Sequence, residues 1–527
     1  MDSVVDSSSN QRTMNPRSSF SGVFAACWLG LSIMGCQGAG DEPRAPGGDE
    51  EVEVPSPRPE VPETPEPETP APVAVTLPCE VRAGACSEFI GTGQGDIWVD
   101  GRNLPPSRYA GKTLCIKPGN YGYLALYGVV ATPSQPAIVT NCGGQAVFTS
   151  TSGSPVSMGG GSRFLRLTGT GSADHVYGLV AGRSGGNQAH VDLREGTSDV
   201  EIDHIEVRGD GKGGVGIAFR TYPTCSGTWK RGTWTQNNTR IHDTWVHDTR
   251  YEGMYIGPSH HGWKAGNGYA PGFDCGGGVR VEEADVIGVE VVDNVLENLG
   301  NDGIQVGGAL SGMSVRRNRV RDYGLNNDSN HSGGITVNPG SGGVIDGNWI
   351  ETARPNSTSG IVFQGLGGSL VSNNVIVGAR TGTYFLRNTD VNVDRAETDI
   401  LFHHNTVVAS TVEGAYFFCN LLGDVRFTNN IIAGAPTTHA ANGNDLSCFK
   451  SPAPYNLLST QISAAGFVDA AARDFHLLPS SPAVDVGVAL GGVVDVDHAG
   501  ASRAGGPYDL GAFVASKTPV TGGSLRQ

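Results

Sequence analysis

One residue type returning at one phase narrows the choice of fold more than any bulk property of the chain. Asparagine stands in the pattern apolar-x-x-Asn-x-apolar from Val291 to Leu296 around Asn294, from Val315 to Val320 around Asn318, and from Ile345 to Ile350 around Asn348. The pattern returns from Val371 to Ile376 around Asn374, from Phe402 to Val407 around Asn405, and from Phe427 to Ile432 around Asn430. Thr244 holds the same place one unit earlier, and Ile205 is its counterpart before that. A second half-unit reads Gly-apolar-x-apolar, as in Gly253 to Ile256, Gly303 to Val306, Gly334 to Val337, Gly360 to Phe363 and Gly414 to Phe417. The unit is about 24 to 31 residues long, with larger steps near 205–294.

Each half-unit offers only two or three inward apolar residues, so no unit buries its own face. Stacking the units in parallel sets like on like and builds one continuous core. A buried turn leaves backbone groups without water, and each needs a partner. An asparagine amide supplies one by bonding to nearby backbone and to the asparagine above it. The six asparagines are therefore expected to form a structural ladder. Glycine is abundant, 78 of 527 residues, and charged residues make up only 17%, as many short strands and tight turns require.

On these residues the chain resembles the right-handed parallel β-helix superfamily, the pectate-lyase-like fold, over residues 95–515. The resemblance implies an all-β, right-handed parallel β-helix solenoid with an asparagine ladder. Residues 481–513 resemble the ending of many secreted β-helix proteins, from Ser481-Pro482-Ala483-Val484-Asp485 to Asp509-Leu510-Gly511-Ala512-Phe513. An open solenoid end exposes unpaired strand edges, so 481–515 is expected to cap it. The folded domain is placed at 79–515, with a tail at 516–527.

The first 36 residues read as a targeting segment. Arg12 and Arg17 precede an apolar stretch from Phe20 to Gly35, which ends in Ile33-Met34-Gly35-Cys36. That tetrapeptide resembles a bacterial lipobox, which implies lipidation of Cys36 and an exported protein held to the outer membrane or cell surface by lipid alone. Met14 offers an alternative start. Residues 37–78 are rich in proline and carboxylates and cannot build a core, so they are expected to be an extended linker. Eight further cysteines suit an oxidising compartment. Neighbour pairing would join Cys79 to Cys86, Cys115 to Cys142, Cys225 to Cys275 and Cys419 to Cys448, although eight cysteines allow 105 connectivities. The absence of C-x-x-C disfavours zinc. A formal net charge of −16 argues against a nucleic-acid partner and leaves room for an acidic glycan in a local basic pocket. A monomer is expected.

Chemistry is expected where long insertions leave a rigid coil. Two such insertions, near 221–237 and 258–287, leave the same corner, where Cys225 and Cys275 could tie them. Residues between the inward positions of the glycine half-unit form an outward column that includes Tyr255, Gln305, Thr336, Val362, Tyr384 and Tyr416. Tyr255, Gln305, Trp229, Trp263 and Arg231 are the expected substrate-binding residues, since aromatic faces suit sugar C–H surfaces. A lyase must neutralise a uronate carboxylate and remove the neighbouring proton. Ca²⁺ held by Glu252, Asp302 and Asp274 would do the first. Lys264, His260 or His261 would do the second. Glu252 and Asp302 on adjacent coils, about 5 Å apart, also suit a retaining hydrolase. The His242-Asp243 and His247-Asp248 pairs recur with the coil and are read as structural. The expected function is to act on or bind polysaccharide, most sharply as a uronic-acid lyase. The alternative is a non-catalytic adhesin or glycan-binding scaffold, because a fold hosts many activities.

Overall fold

A computed structural model describes residues 86–261, 272–364, 368–386, 399–419, 423–451, 455–490 and 492–515. The targeting segment with Cys36, the linker, Cys79, Trp263, Lys264 and the tail lie outside the described residues. No helix among those described is long and apolar enough to cross a membrane.

The chain winds as a right-handed parallel β-helix solenoid. Each repeating coil gives one short strand to each of three files, called here A, B and C. File A contains Thr235–His242, Asp285–Val292, Met313–Arg316, Gly343–Asp346, Ser369–Ser372, Ile400–His403 and Val425–Thr428, each parallel to the next. File B carries the strands just after the ladder residue, such as Val295–Glu297 and Arg319–Arg321. File C carries the glycine half-units, such as Met254–Ile256 and Ile304–Val306. Files B and C join at Gly119–Tyr127, which pairs with both Ala146–Phe148 and Val156–Gly159.

Register explains the repeat. Val291, Val315, Ile345, Val371, Phe402 and Phe427 lie opposite one another in turn, all facing the core. Phenylalanines on successive coils then stack: Phe402 on Phe427 at 4.6 Å, and Phe385 on Phe417 at 4.9 Å. The ladder runs at the turn from file A to file B. Asn294 Nδ2 donates to Asn318 Oδ1 at 2.9 Å and to the Ile241 carbonyl at 3.0 Å, while Asn318 Oδ1 also accepts from the Asn294 backbone N–H at 3.1 Å. The same three bonds recur through Asn348, Asn374, Asn405 and Asn430. Thr244 begins the file by donating to Asn294, and Asn456 ends it by accepting from Asn430.

The residue before each ladder position adopts the left-handed conformation that turns the chain: Asp243, Asp293, Arg317, Gly347, Asn373, His404 and Asn429. A second left-handed corner follows file B at Asp248, Asn298, Asp322, Gly378, Ala409 and Gly434.

Two expectations are corrected. Cys86 bonds to Cys115, so the neighbour pairs Cys79–Cys86 and Cys115–Cys142 do not form. The first coils stack these cysteines: Glu88 lies opposite Leu114, and Ile116 opposite Asn141. Cys86 thus takes the following cysteine, one coil further along the solenoid, and not the preceding Cys79. Cys142 is also disulfide-bonded, its Sγ 3.8 Å from that of Cys86. Cys225–Cys275 and Cys419–Cys448 are bonded to each other. Second, residues 481–515 fold back along the outside of file B instead of covering only the solenoid end. Leu510, Ala512 and Phe513 pack with Val375, Val377, Val408 and Ile431. Arg503 donates to Asn373 Oδ1, and Ala512 N–H to Thr406 Oγ1. The outward positions of file B include Glu297, Arg319 and Arg321 in earlier coils, whereas here they are Val375, Val377, Val408, Ile431 and Ala433, with Thr406 among them. That apolar stripe needs a cover.

Candidate active site

The outward column of file C is continuous in register. Ala218 lies opposite Tyr255, Tyr255 opposite Gln305, Gln305 opposite Thr336, and Thr336 opposite Val362. Chemistry-bearing groups gather on both flanks of this column, at the coils that carry the long insertions.

On the downstream flank stands Arg220, at the end of Ile217–Phe219. Its guanidinium lies 3.7 Å from the Tyr255 ring centroid and 4.8 Å from that of Tyr222. Its Nη2 donates to Ser259 Oγ at 3.4 Å, and its Nε has no protein partner. No carboxylate pairs with it among the described residues. The Tyr255 hydroxyl is hydrogen-bonded to Ser259 and the residue is only 5% exposed. Burial pushes this phenol up to about 12, against the pull of Arg220, so it stays protonated. The chain then turns back over the face. The backbone N–H of His260 donates to Glu283 Oε2 at 2.8 Å, while its ring is 45% exposed beside Ser259.

On the upstream flank, Glu252, Asp302 and His331 converge from successive coils. His331 Nδ1 lies 3.3 Å from Glu252 Oε1 and 3.6 Å from Asp302 Oδ2. Asp302 Oδ1 accepts from the Gly333 N–H at 2.6 Å and the Thr336 hydroxyl at 2.9 Å. Asn301 Nδ2 donates to Glu252 at 3.2 Å. The two carboxylates push the imidazole up to about 10. Burial pushes Asp302 above its ordinary value. Burial also raises Glu252, but the His331 contact together with backbone and Asn301 hydrogen bonds outweighs it, and the group stays below the usual range. The trio is therefore an imidazolium clamp between two carboxyls of opposite tendency.

This donor set does not suit Ca²⁺. The ion takes about six to eight oxygen ligands. Among the described residues only two carboxylates converge here, one oxygen of Asp302 is already engaged, and His331 supplies the counter-charge. Asp274 is not part of the group. It sits on Phe273–Asp274, which pairs with Arg280–Val281, and it bonds to its own turn at Gly276 and to Arg280.

The remaining sequence expectations divide. Tyr255, Gln305 and His260 lie on this face, and Gln305 Oε1 is buried without a protein partner. His261 is 2% exposed and bonds through Nε2 to Asp285 at 2.7 Å, which anchors its loop and leaves its Nδ1 buried without a hydrogen-bond partner. Arg231 also pairs with Asp285, at 3.0 Å. Trp229 is half-buried and packs against the Gly196 turn. Arg220 and His331 were not singled out in the sequence. The signal for Arg220 was present: Gly216-Ile217-Ala218-Phe219 is one more glycine half-unit, and Arg220 closes it.

No family model and no curated protein matches the sequence. Among solved structures the chain is similar to the Azotobacter vinelandii mannuronan C-5 epimerase AlgE4 A-module, at 15% identity over 71% of this chain and 96% of that one, with a TM-score of 0.40. It is similar to pectate lyase Pel9A at 14% identity, 81% and 97% coverage and a TM-score of 0.38. A Paenibacillus alginate lyase matches at 14% identity, 71% and 98% coverage and a TM-score of 0.29. These likenesses concern the course of the backbone.

Proposed function

We propose that the protein is exported, held to a membrane by lipid on Cys36, and acts on a uronic-acid polysaccharide by elimination at the Arg220–Tyr255–His260 face. The observation that carries the proposal is Arg220: a guanidinium with no paired carboxylate among the described residues, lying against two tyrosine rings on the outer face of a rigid sheet. Such a group is a ready partner for a carboxylate, which it engages in a planar fork. An acidic sugar ring over the tyrosines supplies both the charge and the apolar C–H face.

The chemistry follows from the groups in reach. Arg220 neutralises the uronate carboxylate, which acidifies the proton at C5. The His260 imidazole takes that proton. The electron pair forms the C4=C5 double bond as the C4–O bond breaks, and the leaving oxygen takes the proton of Tyr255. A phenol held near 12 is a reservoir for that proton at neutral pH. No step passes through a metal ion. The disulfides support an oxidising compartment.

The test is ultraviolet absorbance of the unsaturated product on polygalacturonate, alginate and hyaluronan. Arg220→Ala and His260→Ala are each expected to lower kcat/KM by about a hundredfold or more. Polymer retained on the protein without any unsaturated product would leave a glycan-binding scaffold in place of the lyase. Labelled palmitate should enter the wild-type chain in cells and not the Cys36→Ser variant.

A further inference from the structure

Further along the face, with Gln305 one coil from Tyr255 and Asn338 three coils from Arg220 in register, stands a second recognition element that the elimination does not use. Asn338 stands on the outward side, one coil below Gly307 and two residues after Thr336. It is 2% exposed, yet neither its Oδ1 nor its Nδ2 has a protein hydrogen-bond partner. Gln305, on the neighbouring coil and 3% exposed, has an unpartnered Oε1. Three amide atoms without partners on one patch are costly, because a buried unpaired polar atom loses water and gains nothing.

The cover over the patch is the segment Pro258–His261. It lies so close that side chains beneath it are excluded. A Cβ on Gly307 would stand 1.8 Å from the Pro258 carbonyl oxygen, and one on Gly340 would stand 2.3 Å from His261 Nδ1. The cover is fastened by His261 to Asp285 and by the His260 N–H to Glu283. It also carries Ser259, which touches Arg220 and Tyr255, and the His260 base.

We propose that Asn338 and Gln305 read the hydroxyl groups of sugars further along the chain from the one held by Arg220, and that the Pro258–His261 cover lifts to admit the chain and closes on it. This rests on the polysaccharide reading and adds how one glycan is told from another. An amide both donates and accepts, so it matches a hydroxyl in a fixed orientation and not a second carboxylate. A site built to bond a hydroxyl rejects a sugar that lacks it, because the amide is then left unpaired. Closure also brings His260 to the ring only after the correct sugar is seated.

The test uses Asn338→Leu and Asn338→Ala in the full chain, with two readouts. The first is the thermal midpoint without glycan, the second the affinity by calorimetry for whichever of polygalacturonate, alginate or hyaluronan the wild type binds most tightly. A side chain without a protein partner can be replaced by an isosteric apolar one at no loss. The leucine variant should therefore melt at or above the wild-type temperature, while both variants bind roughly tenfold more weakly. A midpoint lowered by several degrees in both variants would overturn the proposal, since the amide would then be serving the fold. Unchanged affinity in both would overturn it too, leaving the elimination site standing. Failure of the wild type to bind any of the three polymers removes the polysaccharide reading, and this proposal with it.

Discussion

At the residue scale, the ladder shows what one side chain is worth when every bond it makes is buried. Asn374 Oδ1 accepts from the N–H and Nδ2 of Asn348, while its own Nδ2 reaches Ile345 and Asn405. Asn374→Ala deprives the Asn348 donors and the Ile345 carbonyl on the preceding coil of their Asn374 partner, and leaves Asn405 Oδ1 only the Asn374 N–H, so it should cost about 3 kcal/mol. Denaturant unfolding checks this, and the loss should appear as an earlier first transition, because coils of a solenoid unfold as neighbours. His331 offers a second measurement. Its folded value, raised to about 10 by Asp302 and Glu252, lies above the ordinary value of 6.5. The stability it contributes is complete below that ordinary value and is lost as pH rises through the folded one. His331→Gln should flatten the fall in thermal midpoint between about pH 6.5 and 10. The difference between variant and wild type isolates this group from His242, which titrates in the same window beside Asp243 and Glu201. An unchanged slope in the variant would refute the clamp.

At the scale of the element, the outward face of file B divides the molecule. Earlier coils set charged residues there, and the last coils set Val375, Val377, Val408 and Ile431, covered by 510–513. Leu510→Asp puts a charge into that covered strip. It should loosen the returning segment, expose a contiguous apolar patch and drive association, which light scattering would register as growth in mass. A variant that stays monodisperse and equally resistant to protease after residue 480 would remove this account. The same element shows where sequence reasoning runs out. The apolar alternation of each strand was legible, because inward residues repeat with the coil. So was the column through Tyr255 and Gln305. The returning course of 481–515 was not, since its partners are outward residues in three different coils, and no local pattern marks them as paired. The left-handed corners were half legible. Asp293 and Asn373 are types that favour such turns, whereas Arg317 and His404 occupy the same conformation only because stacking imposes it. Arg220 and His331 escaped notice for a related reason. Their meaning lies in what neighbouring coils place beside them, and neither carries a motif of its own.

At the scale of the whole molecule, charge and proposed substrate oppose each other. The formal net charge is −16, and half of it comes from residues 37–78, where ten carboxylates face two arginines. A polyuronate approaching such a chain is repelled at long range and attracted close to Arg220. Charges farther apart than the Debye length, about 10 Å at 0.1 M salt, are largely screened, while a half-buried guanidinium against a carboxylate is screened far less. Association should therefore speed up as salt is added from low ionic strength, the reverse of a protein steered by its own field. Glu60, Glu63, Glu66 and Glu68 changed together to Gln should raise the low-salt association rate several-fold and leave the dissociation rate alone. Stopped-flow binding of the fluorescently labelled polymer separates the two rates. An association rate that falls monotonically with salt in the wild type would mean that a basic surface draws the glycan in, and Arg220 would no longer stand as the point of first attraction.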